Sequence, residues 1–194
     1  MRWLPLIGTL LFLAIGIGWR GWLQSRRYGS SGILLFQSGR WQQNLRDSLG
    51  LLLVVCLVGQ ALLAAREPSR SFDGLTAIGV MFLFGGIAFL VAAQLQLGSS
   101  WRVGIDEGAA PGLVTTGLYR WCRNPIYLAM LSVLTGYTAL VPTRLSVGLL
   151  VGTFIVIRVQ VLAEEAYLLR TYGARYREYA SRAGRFLPGI GRIR

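Results

Sequence analysis

RWCRNPIYLAMLSVLTGYTALVPTRLSVGLLVGTFIVIRVQVLAEE, residues 120–165, decides the architecture. It contains two apolar runs, about Ile126 to Val141 and about Leu145 to Ala163, joined by a turn at Pro142 and Thr143. Such a pair predicts a helical hairpin with both free ends on one side. Its charges gather at those ends: Arg120 to Tyr127 opens the first run, and Glu164 with Glu165 closes the second. An unpaired ion at bilayer depth costs about 3 kcal/mol or more, so charges at span ends face each other, water or a polar ligand. The first run is short, which predicts a mouth close to the interface or a locally thinned bilayer.

Outward from the hairpin, three further runs precede it: about Leu4 to Leu23, Leu49 to Ala65 and Leu75 to Leu97. A hydrocarbon core needs about 20 apolar residues per helix, and these runs meet that length nearly free of charge. The 194 residues are 54% hydrophobic, with a mean hydropathy of +0.52. That composition reads as an integral membrane protein. The expected fold is all-α: a polytopic transmembrane bundle of about five spans. The chain carries no internal repeat or dividing linker, so 1–194 reads as one membrane domain. Residues 1–97 form its first three spans, and 98–194 carry the hairpin and a C-terminal tail. Between the first two spans, Gly29 to Asn44 reads as an interfacial or half-buried segment.

Orientation rests on arginine, because lysine is absent. Arg26, Arg27, Arg40 and Arg46, then Arg102, Arg120 and Arg123, then Arg170 to Arg194, share one side. The other receives Arg2, Arg66, Arg70 and Arg144. Positive charge marks the cytoplasmic side, which leaves the amino terminus outside. A cleaved signal peptide is the rival reading of the first span. Its apolar run is too long for that, and cleavage would export the arginine-rich 24–47 segment. The net charge of +12 is spread over juxtamembrane loops, which points to anionic lipid headgroups as partners and away from nucleic acid.

Cys56 falls mid-span and Cys122 on the cytoplasmic side, so no disulfide is expected. Two cysteines without histidine provide no usual zinc set, and no metal site is predicted. The missing histidine also removes the commonest general base, which favours transfer to a nucleophile already ionised.

Two constellations carry chemistry. In residues 98–127, Gly104, Gly108, Gly112 and Gly117 permit tight turns and close backbone approach. Thr116 reads as the cap of a short turn, and Tyr119, Arg123 and Tyr127 share a face if that turn is continuous. Asn124 reads as an N-cap with Pro125 opening the helix, where backbone amides and Arg123 suit a carboxylate. An interfacial Tyr/Arg anchor with an ordinary cap is the plainer reading. In residues 160–188, adjacent Glu164 and Glu165 point about 100° apart on a helix. One faces the mouth, where it suits an ammonium or ribose hydroxyls. A salt bridge to Arg120, Arg123 or Arg170 competes. Tyr172, Tyr176 and Tyr179 form an aromatic edge, Gly173 permits a bend, and Arg185 to Pro188 end the helix.

Taken in order, Leu113, Val114, Thr115, Thr116, Gly117, Leu118, Tyr119, then Arg123, Asn124, Pro125, Ile126, Tyr127, Gly136, then Glu164, Glu165, Leu168, Gly173, Tyr176, Tyr179 and Pro188, resemble the isoprenylcysteine carboxyl methyltransferase and phospholipid methyltransferase superfamily. Gly98, Ser100, Trp101, Arg102 and Gly104 look like its bacterial branch, whereas residues 1–90 match only as spans. The resemblance implies an integral membrane enzyme using S-adenosylmethionine, its active site facing the cytoplasm of a bacterial inner membrane. The cofactor would lie at the mouth of the last two spans beneath a cytoplasmic C-terminal helix. It would be held by Leu113, Val114, Gly117, Tyr119, Arg123, Asn124, Pro125, Tyr127 and Glu165. Glu164 and Arg120 are the expected catalytic or substrate-head residues. Asn124 stands where the family commonly has histidine; it still donates a hydrogen bond but cannot gain charge.

The expected reaction is methyl transfer to a carboxylate or amine of an amphiphilic, lipid-like substrate entering from the bilayer. Sterol-type reductases share the C-terminal layout but take NADPH, for which Arg170, Arg175 and Arg177 would serve. A non-enzymatic scaffold or transporter subunit is the third reading.

Overall fold

The computed structural model describes residues 1–36, 41–68, 71–104 and 112–193. Arg40, Arg70, Gly108 and Arg194 lie outside the described residues, as does the rest of 105–111 in the glycine-rich loop. The elements are α1 (Leu4–Leu13), a π-helical turn (Ala14–Trp19), α2 (Arg20–Tyr28), α3 (Trp41–Ala64), α4 (Gly74–Leu97), a 3₁₀ turn (Gly117–Arg120), α5 (Pro125–Leu140), α6 (Arg144–Tyr172) and α7 (Ala174–Arg182). The first three run on as one rod, Leu4–Tyr28. That rod, α3, α4 and α6 are long and apolar enough to cross a membrane, and α5 is a shorter apolar helix. At 16 residues α5 is about 24 Å long, short of a hydrocarbon core of about 30 Å.

Local chemistry sets the boundaries. Pro5 lies in the first turn of α1, where its missing N–H costs nothing. Asp73 caps α4 by accepting from the Thr76 amide at 2.8 Å. Thr143 and Ser146 form a reciprocal capping box that starts α6 directly after the Pro142 turn. α3 extends past its sequence expectation, beginning at Trp41 rather than near Leu49, while α6 runs through both glutamates to Tyr172, as the helix read over 160–188 leads one to expect. Polar residues continue α3 toward Trp41, where hydropathy no longer marks it. Gly173, at φ 52°, then breaks α6 from α7.

α5 packs along α4 through missing side chains. A Cβ on Gly136 would strike the Leu83 amide and the Gly79 carbonyl, and one on Gly86 would strike the Val133 amide. Small residues let backbones approach in a membrane, where dispersion drives packing. Across from this seam, α3 and α6 run antiparallel. Leu57 and Ala61 share a core with Leu134, Tyr137 and Leu149. Gln60 donates to Thr143 Oγ1 at 2.6 Å and Ser146 Oγ at 3.3 Å.

At the opposite end the rod is tied to α4 by polar side chains. Gln94 Nε2 donates to the Gly16 carbonyl in the π turn at 2.8 Å. Arg20, fully buried, donates to the Gly98 carbonyl and to Gln24, and lies over the Trp101 ring. Of the segment expected to be half-buried, Ile33 pairs with Val103, and Leu34 N donates to the Val103 carbonyl at 2.9 Å. This end carries α7 and the site.

Candidate functional site

The 3₁₀ turn Gly117–Arg120 opens the site, but Thr116 makes no side-chain cap. Gln96 of α4 does that work from across the mouth, its Oε1 accepting from the Leu118 amide at 2.7 Å. Gly117 sits at φ 59°, and a Cβ there would hit the Gln96 amide. Tyr119 is buried; its hydroxyl donates to the Ala93 carbonyl, while its own carbonyl accepts from Tyr179 at 2.7 Å.

The turn does not continue into α5. Tyr119, Arg123 and Tyr127 therefore do not share one face, and each meets a different partner. Asn124 occupies the N-cap position without a side-chain cap bond. Its Nδ2 donates instead to the Arg185 carbonyl at 3.0 Å.

Arg123 is the hub, its side chain only 2% exposed. Nε and Nη2 donate to Glu165 Oε1 at 3.2 and 2.9 Å. Nη1 donates to the carbonyls of Ala180 and Ala183, and Nη2 also to that of Gly191 at 2.9 Å. Every N–H of the guanidinium is thus spent inside the protein. Glu165 is equally occupied: Arg185 grips both of its oxygens, with Nη2 at 2.8 Å from Oε2. That hydrogen bond raises the Arg185 pKa above its ordinary value. The backbone repeats the fastening, since Arg123 N donates to Gly184 O and Gly184 N to Trp121 O. Arg123 and Glu165 meet as the sequence suggests, but they grip each other and the C-terminal segment.

Glu164 faces other partners. Tyr127 donates to its Oε1 at 2.7 Å and Gln160 at 2.8 Å. Among the described residues nothing donates to Oε2, which leaves that oxygen open to a ligand. Arg120, paired with Glu164 in the sequence reading, stands elsewhere: exposed, over the Trp121 ring, in a cleft of about 750 Å³. The cleft is lined by Leu113, Thr115 and four arginines, 120, 175, 182 and 192, against the single acid Glu178. Val114 is half-buried beside it.

Aromatic packing seals the space between. Tyr176 and Tyr179 meet edge to face at 6.1 Å, with Ala180 and Ala183 buried beside them. Burial pushes the Tyr119, Tyr176 and Tyr179 hydroxyls up, so they stay neutral, and pushes the Cys122 thiol up to about 11. No group of three His, Cys, Asp or Glu gathers as a metal set among the described residues.

Sequence reasoning overlooked three partners. Gln160 carries a local signal, lying four residues before Glu164. Gln96 and Arg185 act across long separations and carry none.

The sequence model of the family described as phospholipid methyltransferase matches residues 75–175. Among solved structures, the eukaryotic intramembrane Ras methyltransferase, isoprenylcysteine carboxyl methyltransferase, is similar at a TM-score of 0.61 and 20% identity. The match covers 97% of this chain and 64% of that one, so this chain spans under two thirds of its relative's length. At that identity the likeness shows the fold, a helical membrane bundle. No curated protein matches.

Proposed function

The chain belongs to the phospholipid methyltransferase family, and on that premise we propose that it is an integral membrane enzyme that methylates a carboxylate or amine on the head of an amphiphile, with S-adenosylmethionine as methyl donor. The observation that carries this reading lies inside the matched region. The 120–127 and 164–165 stretches converge at one end of the bundle, where Glu164 presents a carboxylate oriented by Tyr127 and Gln160 with one oxygen unspent.

The residues fit the donor's chemistry. S-adenosylmethionine, when bound, supplies a methyl group on a positively charged sulfur. A cationic centre suits the open oxygen of Glu164, whereas the arginine-rich cleft beside α7 suits only the carboxylate end. The ledge formed by Leu113, Val114, Gly117 and Tyr119, with Asn124, Pro125 and Tyr127 at the start of α5, provides apolar and hydrogen-bonding walls. Arg123 and Glu165 enter as the fastening that holds α7 and the C-terminal turn over this space. With their donors and acceptors consumed internally, they shape the pocket instead of touching its contents.

Chemistry then requires positioning more than proton transfer. Glu164, oriented by Tyr127 and Gln160, would hold the donor's cationic end in line with the acceptor's oxygen or nitrogen, and the donor would supply the methyl group. No histidine stands by to remove a proton, which favours an acceptor ionised or deprotonated on arrival. Dry surroundings strengthen the field of Glu164 on whatever charge it faces. An active site on the cytoplasmic face of a bacterial inner membrane completes the proposal.

The test is incubation of purified protein with methyl-labelled S-adenosylmethionine and total lipid extract, read by mass spectrometry. A labelled ester or labelled amine supports the reading and identifies its branch. Absence of labelled lipid, with label transferred instead from deuterated NADPH, would overturn it.

A further inference from the structure

α3 lies outside the matched region, and its first turns fall at the same end of the bundle as the site. The α3/α6 register fixes where they fall. Gln60 bonds to Ser146, Leu57 packs in one cluster with Leu149, and Leu53 is the side chain a Cβ on Gly152 would meet. The partner number on α6 rises as that on α3 falls. Continued by the 1.5 Å rise of each helix, this register sets Arg46 opposite Gln160 and Gln43 opposite Ala163, within a turn of Glu164.

These polar groups lack partners. Gln43 is 4% exposed and its Nε2 makes no hydrogen bond; Arg46 Nε is buried and equally unpartnered. Among the described residues, no ion pair joins Arg46 to Glu164 or to any other acid. A buried donor left unmade costs about 1–3 kcal/mol, and more beside a charge. Such groups are tolerated where a ligand or ordered water completes them. On α2, Arg20 also leaves Nε unpartnered, but its Nη1 and Nη2 donate to Gln24 and to the Gly98 carbonyl.

We propose that Arg46 and Gln43 form an anion-binding wall opposite Glu164, which takes the carboxylate or phosphate oxygens of the amphiphile's head and so selects acceptors that carry one. The inference deepens the methyltransferase reading and rests on it for the word acceptor, but head-group binding is measurable without any turnover. Arg46 supplies a forked donor suited to two anionic oxygens, and Gln43 Nε2 a neutral third contact. Glu164 stands across from them, so an anion placed at Glu164 itself would be repelled. The acceptor would then lie with its anion toward α3 and its remaining head atoms toward α5 and α6.

The experiment is calorimetric titration of detergent-solubilised protein, without cofactor, with dodecyl phosphate, laurate and dodecanol. The two anions should bind at least about tenfold tighter than dodecanol, the worth of one charged hydrogen bond. Arg46→Gln should abolish that preference while dodecanol binding stays, and Arg46→Lys should restore part of it. Arg26→Gln, an exposed change of equal charge on α2, should leave the preference intact. An unchanged preference in Arg46→Gln, or an equal loss in Arg26→Gln, would overturn the proposal. So would an Arg46→Gln protein that binds S-adenosylmethionine about tenfold more weakly yet keeps its preference among amphiphiles, because Arg46 would then serve the donor. Lack of methyl transfer with the preference present would sink the enzymatic reading and leave the anion wall standing.

Discussion

A guanidinium with five N–H groups can be exhausted, and at Arg123 it is. Each donation goes to Glu165 or to a carbonyl of residues 180–191, so the side chain holds the C-terminal segment by charge and by geometry together. Without Arg123, Glu165 keeps Arg185, but the carbonyls of Ala180, Ala183 and Gly191 lose their donor, at about 1–3 kcal/mol for each buried group left unmade. Arg123→Ala should therefore lower thermal stability in detergent and expose the 183–193 turn to limited proteolysis, with Arg123→Lys intermediate because an ammonium cannot fork. Resistance of that turn to protease in Arg123→Ala would show the fastening to be dispensable. Glu164 should behave oppositely. Its environment is built by Tyr127 and Gln160 rather than by a counter-ion, so Glu164→Gln should keep the melting point near that of the parent. Methyl transfer, measured as kcat/KM with labelled donor, should fall by about tenfold or more. The sequence made it legible that both glutamates close the second span and, as neighbours on a helix, face apart. It could not tell which of them the protein uses up on itself, because donors are counted only once residues 180–191 fold back.

Helices in this chain are legible by hydropathy up to the point where polar residues carry them onward. That is why the hairpin, its Pro142 turn and the start at Pro125 agree with expectation while α3 begins before it. The 3₁₀ turn shows the limit of local pattern. Tyr119, Arg123 and Tyr127 have helical spacing, but Gly117 at φ 59° and the Asn124 break set them on separate courses. Gly117→Ala should cost about 1–2 kcal/mol for the left-handed backbone alone, with more lost as Gln96 is pushed from the Leu118 amide. The α4/α5 seam is more sensitive still. Gly136→Leu would drive a side chain into the Leu83 backbone and force the helices apart, at about 1–3 kcal/mol or more. The expected result is loss of the monodisperse detergent-solubilised species in size-exclusion chromatography. Gly148→Leu, where a Cβ would meet nothing within 4 Å, should elute as the parent does.

At the scale of the whole molecule, the end of the bundle that carries α7, Arg123 and the arginine cleft is also the end to which α2, α3 and α4 bring their polar side chains. The capping box of α6 and Gln60 mark the other end. Arginine bias predicts that the first of these ends faces the cytoplasm, the side from which the proposed donor would be supplied. The assignment can be read by labelling, because both native cysteines are poor targets. Cys56 sits within α3, and Cys122 is buried with its thiol pushed up to about 11, so little reactive thiolate exists at neutral pH. Exposed single-cysteine reporters, Ser181→Cys on α7 and Glu67→Cys after α3, then report opposite faces. With a membrane-impermeant maleimide, Ser181→Cys should label in inside-out vesicles and stay dark in intact spheroplasts, and Glu67→Cys should do the reverse. The inverted pattern would place the site outside, away from any cytoplasmic donor. The same pattern for both reporters would mean that α7 and the α3–α4 turn lie on one side, which an odd number of crossings from α4 through α6 forbids.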